Sequence, residues 1–316
     1  DSGFMNLTID RLIISIMIMI NKRSKRTFLT QEGSLMKTHF YFLRSIVLLI
    51  AISLALSACN SPTATATQSA PPTQPPVQAP TQAIIQNPPT ATPLPFSGPM
   101  KNMPSVTRSL KLDPAITQDA DSLLISGYIY EGLVSLNSKG EPQPALATRW
   151  EVSDDGLDYI FYLRPDVKFH DGSAFNADVV LANFNRWFDP KDPLRGKGNY
   201  AAWLEAFKGY RGELADNGTP KSNFDGIEKV DNLTVLIHLS RQEPNLVKIL
   251  AQPAFGIIQT GSLAVQGDGY GTPQGSAIGT GPYQVGAWTD NGLLLFPYAG
   301  YWGRAPSDGL EFAWKK

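Results

Sequence analysis

No residue between Arg44 and Lys101 carries a charge, and ten prolines fall within residues 61–98 among Thr, Ala, Gln and Ser. This stretch divides the chain. It has too little apolar surface to offset the entropy of ordering it, so residues 59–98 are expected to stay extended and disordered. Those forty residues, partly in polyproline II, reach on the order of 100 Å. A packed fold is therefore expected only over residues 99–316, a length sufficient for a sizeable core and more than one subdomain.

The chain's single cysteine, Cys59, stands where an apolar run gives way to this tract. One thiol cannot close an internal disulfide or build a multi-cysteine metal site. Upstream lie Lys37 and Arg44, then the uncharged run SIVLLIAISLALSA (residues 45–58), ending in small residues. A basic segment, an apolar segment and a small-residue cleavage site make a secretory signal, too short for a membrane span. Residues 36–58 are read as that signal. Leu56-Ser57-Ala58-Cys59 resembles the lipobox of bacterial lipoproteins, which implies cleavage before Cys59 and lipidation of its thiol. Several acyl chains on one residue anchor stably where one is marginal. Residues 1–35 begin with Asp1 and contain the short run LIISIMIMI followed by Lys22, Arg23, Lys25 and Arg26. They are read as an unmatched segment upstream of a start at Met36, with a second membrane-associated segment as the alternative.

From Pro99 onward 20 Lys+Arg face 25 Asp+Glu, a net charge of −5, with no basic run beyond Lys315-Lys316. Nucleic-acid binding is disfavoured, because phosphate contacts need clustered Lys and Arg.

Strand and helix signals are mixed without a strict βαβ repeat, which gives an α/β or α+β class. VTRSL (residues 106–110) reads as a strand. Residues 121–133 read as a helix and residues 137–140 as a turn. Residues 150–152 and 158–163 flank Ser153-Asp154-Asp155-Gly156 as a hairpin. Asn176 is the expected N-cap of a helix over 177–188, with Val180, Phe184 and Trp187 on one face. A helix over 200–210, a strand over 234–239, a short helix over 243–252 and a strand over 310–314 complete the expectation.

Residues suited to catalysis are scarce. His238 lies inside the apolar strand VLIHL and reads as structural. His170 precedes Asp171-Gly172, a turn, and no GxSxG nucleophile elbow occurs. Two histidines and no cysteine in the domain make a zinc site improbable. Gly267-Asp268-Gly269-Tyr270-Gly271 fails GxGxxG because Thr272 stands at the third glycine position, and no P-loop is present. Aromatic residues are plentiful, and a subset can line an uncharged cleft.

The order of motifs is specific: LDPA (112–115), IYEGLV (129–134), PALATRWEVSDDGLDYIFYLRPDVKFHDG (144–172), FNADVV and FNRW (175–187), IGTGPYQVGAW (278–288) and YWG (301–303). This series resembles the family 5 solute-binding proteins of bacterial ABC importers over nearly all of residues 101–316. The resemblance implies an α/β fold of the periplasmic binding protein type II class, two-lobed, with the second lobe missing from this chain. Relatives are about twice as long in this domain, so a gene fragment or truncated product is expected, with an unpaired sheet edge.

The implied function is capture of a small solute, foremost peptides, outside the membrane and delivery to a permease. No cofactor, metal or catalytic step is expected, and the partners are ABC permease subunits, a membrane through Cys59, and no nucleic acid. A monomer is expected. Closure on the ligand would supply the signal. By resemblance, the positions nearest the cleft are Thr117 and Gln118 after LDPA, Tyr200 and Trp203 in NYAAW, and Thr280 and Gly281 at the GTGPY crossover. Trp150, residues 154–156, Phe169 and Asp171-Gly172 read as scaffold. The competing readings are a surface lipoprotein hydrolase and a non-transporting sensory or adhesion module on the same scaffold.

Overall fold

The computed structural model describes residues 96–316. The upstream segment, the signal, Cys59 and most of the proline-rich tract lie outside the described residues.

Two four-stranded sheets and one small hairpin carry the fold. The better anticipated sheet contains β4 (Ala147–Val152), β5 (Asp158–Leu163), β6 (Phe224–Asp231) and β7 (Thr234–Leu239). Its order is β4-β5-β7-β6, antiparallel throughout. The inner strands DYIFYL and TVLIHL are mostly buried, while the edge strands β4 and β6 are mostly exposed. Helix α2 (Ala177–Phe188) packs on this sheet. Asn176 caps it as expected, its side-chain oxygen accepting from the Val179 N–H at 3.2 Å, with Asp178 at the positive end of the helix dipole. Val180, Phe184 and Trp187 then point into a core shared with Phe161, Val235, Ile237, Trp203, Phe207 and Phe224.

The second sheet joins β1 (Met100–Val106), β8 (Tyr283–Trp288), β9 (Gly292–Pro297) and β10 (Gly309–Trp314) in the order β1-β10-β9-β8. β1 runs parallel to β10 and the other pairs are antiparallel. The final strand β10 is therefore interior, and the edges of this sheet are β1 and β8. Helix α1 (Ala120–Ile129) lies against β8, and Ile125 and Ile129 join Val106, Leu293, Leu295 and Phe312 in a second core. A hairpin of β2 (Val134–Leu136) and β3 (Pro142–Pro144) follows α1, turning at residues 137–140. The short helices α3 (Ala201–Phe207), α4 (Leu246–Ile249) and α5 (Thr260–Gln266) fill the remaining connections.

Several boundaries differ from expectation. The first strand covers Met100–Val106 rather than 106–110, because its partner β10 lies at the far end of the chain and sets the register. Helix α1 stops at Ile129, since Tyr130 is extended and returns its N–H to Ser126. Helix α3 covers Ala201–Phe207 rather than 200–210, because its C-cap Lys208 adopts the left-handed region at φ 66°. The helix expected over 243–252 contracts to Leu246–Ile249, followed by a 3₁₀ turn at Pro253–Phe255. Helix α5, strand β6 and the β8–β9 hairpin have no counterpart among the elements expected from the sequence.

A buried ion pair joins the two cores. Arg186, from the last turn of α2, makes a bidentate contact to Asp113 at 2.7 and 2.9 Å. Burial opposes the guanidinium charge, but the adjacent carboxylate outweighs it and raises the pKa. His238 on β7 sits between Asp158 of β5 (2.8 Å) and Glu228 of β6 (3.4 Å), a cross-strand arrangement that agrees with a structural histidine.

Candidate functional site

The motif segments that are far apart in sequence converge on one carboxylate. Glu131 follows the C-terminus of α1, inside IYEGLV. Its Oε2 accepts from the Thr280 hydroxyl and the Trp302 indole N–H, and its Oε1 from the Tyr301 hydroxyl, each at 2.9 Å. The Arg164 guanidinium lies 3.9 Å from the centre of the Trp302 ring. Burial raises the Glu131 pKa, while the three donors and Arg164 pull the other way. Burial and then the Glu131 charge raise the Tyr301 phenol.

The GTGPY crossover is seated by its backbone. The Gly281 N–H donates to the Ile129 carbonyl at 2.9 Å, satisfying an acceptor that α1 leaves open at its C-terminus. A Cβ at Gly279 would stand 2.0 Å from the Ile129 carbonyl oxygen, so only glycine lets the crossover approach the end of α1 this closely. His170 grips the same segment from the other side. Its N–H donates to the Gly279 carbonyl (2.9 Å), its Nδ1 accepts the Gly279 N–H (3.3 Å) and its Nε2–H donates to the Gly281 carbonyl (3.0 Å). Burial lowers the imidazole pKa to about 4, against the hydrogen bond to Gly281 and the Asp171 charge. The ring is thus a neutral staple with both nitrogens engaged, an arrangement that leaves it no free lone pair for general-base work.

At the opposite end of α1 the LDPA loop is equally ordered. Asp113 accepts the Ala115 N–H at 3.3 Å, and the Thr117 hydroxyl donates to Asp119 Oδ2 at 2.9 Å. Asp119 caps α1 through the Ser122 N–H at 2.8 Å. Burial alone would raise its pKa, but the Ser122 and Thr117 bonds prevail and lower it.

The six positions expected near a cleft therefore divide. Thr280 and Gly281 meet Glu131 at the C-terminal end of α1. Thr117 and Gln118 precede its N-terminus, a helix length of about 15 Å away. Of these four, Gln118 is exposed, and Thr280 has no exposure. Tyr200 is buried, its hydroxyl donating to the Arg195 carbonyl and its ring near Arg186 and Arg195. Trp203 is buried among Trp187, Phe188, Phe207 and Phe224, with its indole N–H on the Gly209 carbonyl at 3.1 Å. An open groove of about 440 Å³, lined by Lys101, Met103, Tyr128, Tyr283, Arg304 and Asp308 among others, includes none of the six. Among the described residues no cluster of three or more His, Cys, Asp or Glu side chains is placed to hold a metal ion.

Glu131 and Tyr301 were not singled out by sequence reasoning. The available signal was a lone acidic residue in the otherwise apolar run IYEGLV.

Comparison with known proteins agrees with this architecture. The family described as bacterial extracellular solute-binding proteins, family 5, matches residues 141–313, more than half of the chain, and the chain belongs to that family. The glutathione-binding protein GsiB of Escherichia coli O1:K1 is 32% identical over 192 residues, 60% of this chain and 33% of that protein. GsiB of Salmonella typhi is 33% identical over the same span. The chain thus aligns with about a third of the length of these curated relatives. Among solved structures, the periplasmic binding protein DppA from Helicobacter pylori in complex with peptide STSA is 26% identical with a TM-score of 0.56, covering 69% of this chain and 43% of that one. HbpA2 from Haemophilus parasuis is 30% identical with a TM-score of 0.55, covering 68% and 43%. The fold is that of a type II periplasmic binding protein. Among the described residues, no helix is long and apolar enough to cross a membrane.

Proposed function

We propose that this chain is the first-lobe part of the substrate-binding component of a bacterial ABC importer, with a short peptide as its solute. The observation that carries this reading is the family match over residues 141–313, together with relatives whose ligands are a tripeptide, glutathione, and the peptide STSA. The geometry supports it. Glu131, Thr280, Tyr301, Trp302 and His170 lock separate segments into a rigid wall, which is what a surface that must meet a second lobe requires. Adding a lobe can only cover more surface, so Gln118 is the side chain among the six best placed to touch ligand. Thr117 holds that loop, Thr280 and Gly281 hold the crossover, and Tyr200 and Trp203 support the wall from the core.

The protein works outside the cytoplasmic membrane, tethered through a lipid on Cys59 and a proline-rich leash, and hands its ligand to permease subunits as a monomer. Titration calorimetry of the intact gene product with glutathione and with short peptides should give one-to-one binding without turnover. Failure of all of them to bind would overturn the peptide reading. Cys59→Ser should move the protein from the membrane fraction to the soluble one. Retention of that variant on membranes would overturn the anchor.

A further inference from the structure

The chain contains two Asn-Gly pairs, Asn217-Gly218 and Asn291-Gly292, in contrasting settings. We propose that Asn217 is a site of spontaneous modification, converting to aspartate and isoaspartate in the folded protein, while Asn291 is protected.

Asn217 lies on the exposed loop between α3 and β6, closed by a bridge between Leu214 and Pro220. Its side chain folds across its own backbone, with Oδ1 accepting from the Thr219 N–H at 3.1 Å and the Thr219 hydroxyl at 2.8 Å. This Asx turn keeps the carboxamide folded back beside the backbone that follows it. The two donors draw electron density from the carboxamide carbon. A Cβ at Gly218 would find nothing within 4 Å, so the backbone has room to close a five-membered ring. The Gly218 N–H is engaged only with the Ala215 carbonyl, one turn back in the same loop.

The chemistry balances with water as the sole co-reactant. The Gly218 nitrogen gives its proton to solvent base and bonds to Asn217 Cγ. The Cγ–Nδ2 bond breaks and ammonia leaves with a proton from solvent. Water then opens the cyclic imide at one carbonyl to give aspartate, or at the other to give isoaspartate. Either product adds one negative charge to the domain.

Asn291 differs because its glycine is clamped. Gly292 begins β9, donates its N–H to the Thr289 hydroxyl at 3.0 Å and accepts from the Thr289 N–H at 2.8 Å. A Cβ there would stand 2.2 Å from the Phe312 carbonyl, and the Asn291 carbonyl accepts from the Trp314 N–H at 3.0 Å. Ring closure would have to break the start of β9 away from β10.

The test incubates the full chain in mildly alkaline buffer, followed by tryptic mapping and isoaspartate detection. Product is expected in the peptide of residues 212–221, with Asn291 intact. In denaturant both sites should convert at similar rates. Thr219→Val should slow conversion at Asn217 severalfold without unfolding the protein, and Asn217→Gln should abolish the signal in that peptide. An unconverted Asn217, equal rates at both sites in the folded chain, or an unchanged rate in Thr219→Val would each overturn the assignment.

Discussion

The two hydrophobic cores were assembled from different kinds of sequence information. The core under β4-β5-β7-β6 is built from neighbours: β4 and β5 form a hairpin, β6 and β7 form another, and α2 lies between them in sequence. Its aromatic side chains recur at helix and strand spacing. The core under β1-β10-β9-β8 depends instead on β1 pairing with β10, across almost the whole described chain. Loop-closure entropy has to be met before that pairing brings any return, so the second core is expected to form late. Short-range order is visible in composition and period, and long-range order is not.

The junction between the cores offers the largest test. Arg186→Ala leaves Asp113 buried without its partner and should destabilise the chain by about 4 kcal/mol. Urea unfolding measures this, and a loss under about 1 kcal/mol would show that the cores do not depend on the pair. Next, Phe312→Ala should cost about 3 kcal/mol through the cavity it leaves. Amide exchange should then rise in β9 and β10 while β5 and β7 stay protected. Equal acceleration in all four strands would mean that the two cores open as one unit.

A pH measurement sharpens the comparison at the staple. His170 has a folded pKa of about 4, below the ordinary value of 6.5. Between these values the unfolded chain binds more protons, so stability is fully present above pH 6.5 and falls as pH drops through the window to 4. For a half-buried residue such as His170 the loss should be about 2 kcal/mol. The wild-type-minus-variant difference for His170→Gln isolates it, and a flat difference would remove the neutral-staple assignment. The smallest effect is at the cap. Asn176→Ala should cost about 1 kcal/mol by calorimetry, because the Val179 N–H loses its acceptor.

Legibility followed the same division at the site. The cap at Asn176, the bounds of α2 and the strand Thr234–Leu239 could be read directly, since each rests on a local pattern of polar start and apolar period. The motif series pointed to Thr280 and Gly281 but not to their partner. Glu131 matters only because Thr280, Tyr301 and Trp302 come to it from 149 to 171 residues away. The resemblance pointed to Tyr200 and Trp203 near the cleft, and in the structure both are buried, their polar atoms donating to the Arg195 and Gly209 carbonyls.

By itself the sequence determined the charge division of the chain, helix α2, the inner strands β5 and β7 of the first sheet and, through ordered motifs, the family. Each depends on residues near one another or on a pattern with a fixed period. Only the tertiary structure decided that β10 lies inside its sheet, that Arg186 neutralises Asp113 between two cores, and that one half-buried carboxylate gathers three motifs. Those contacts are made in space by chain segments whose separation leaves no periodic trace, and burial gives them their strength.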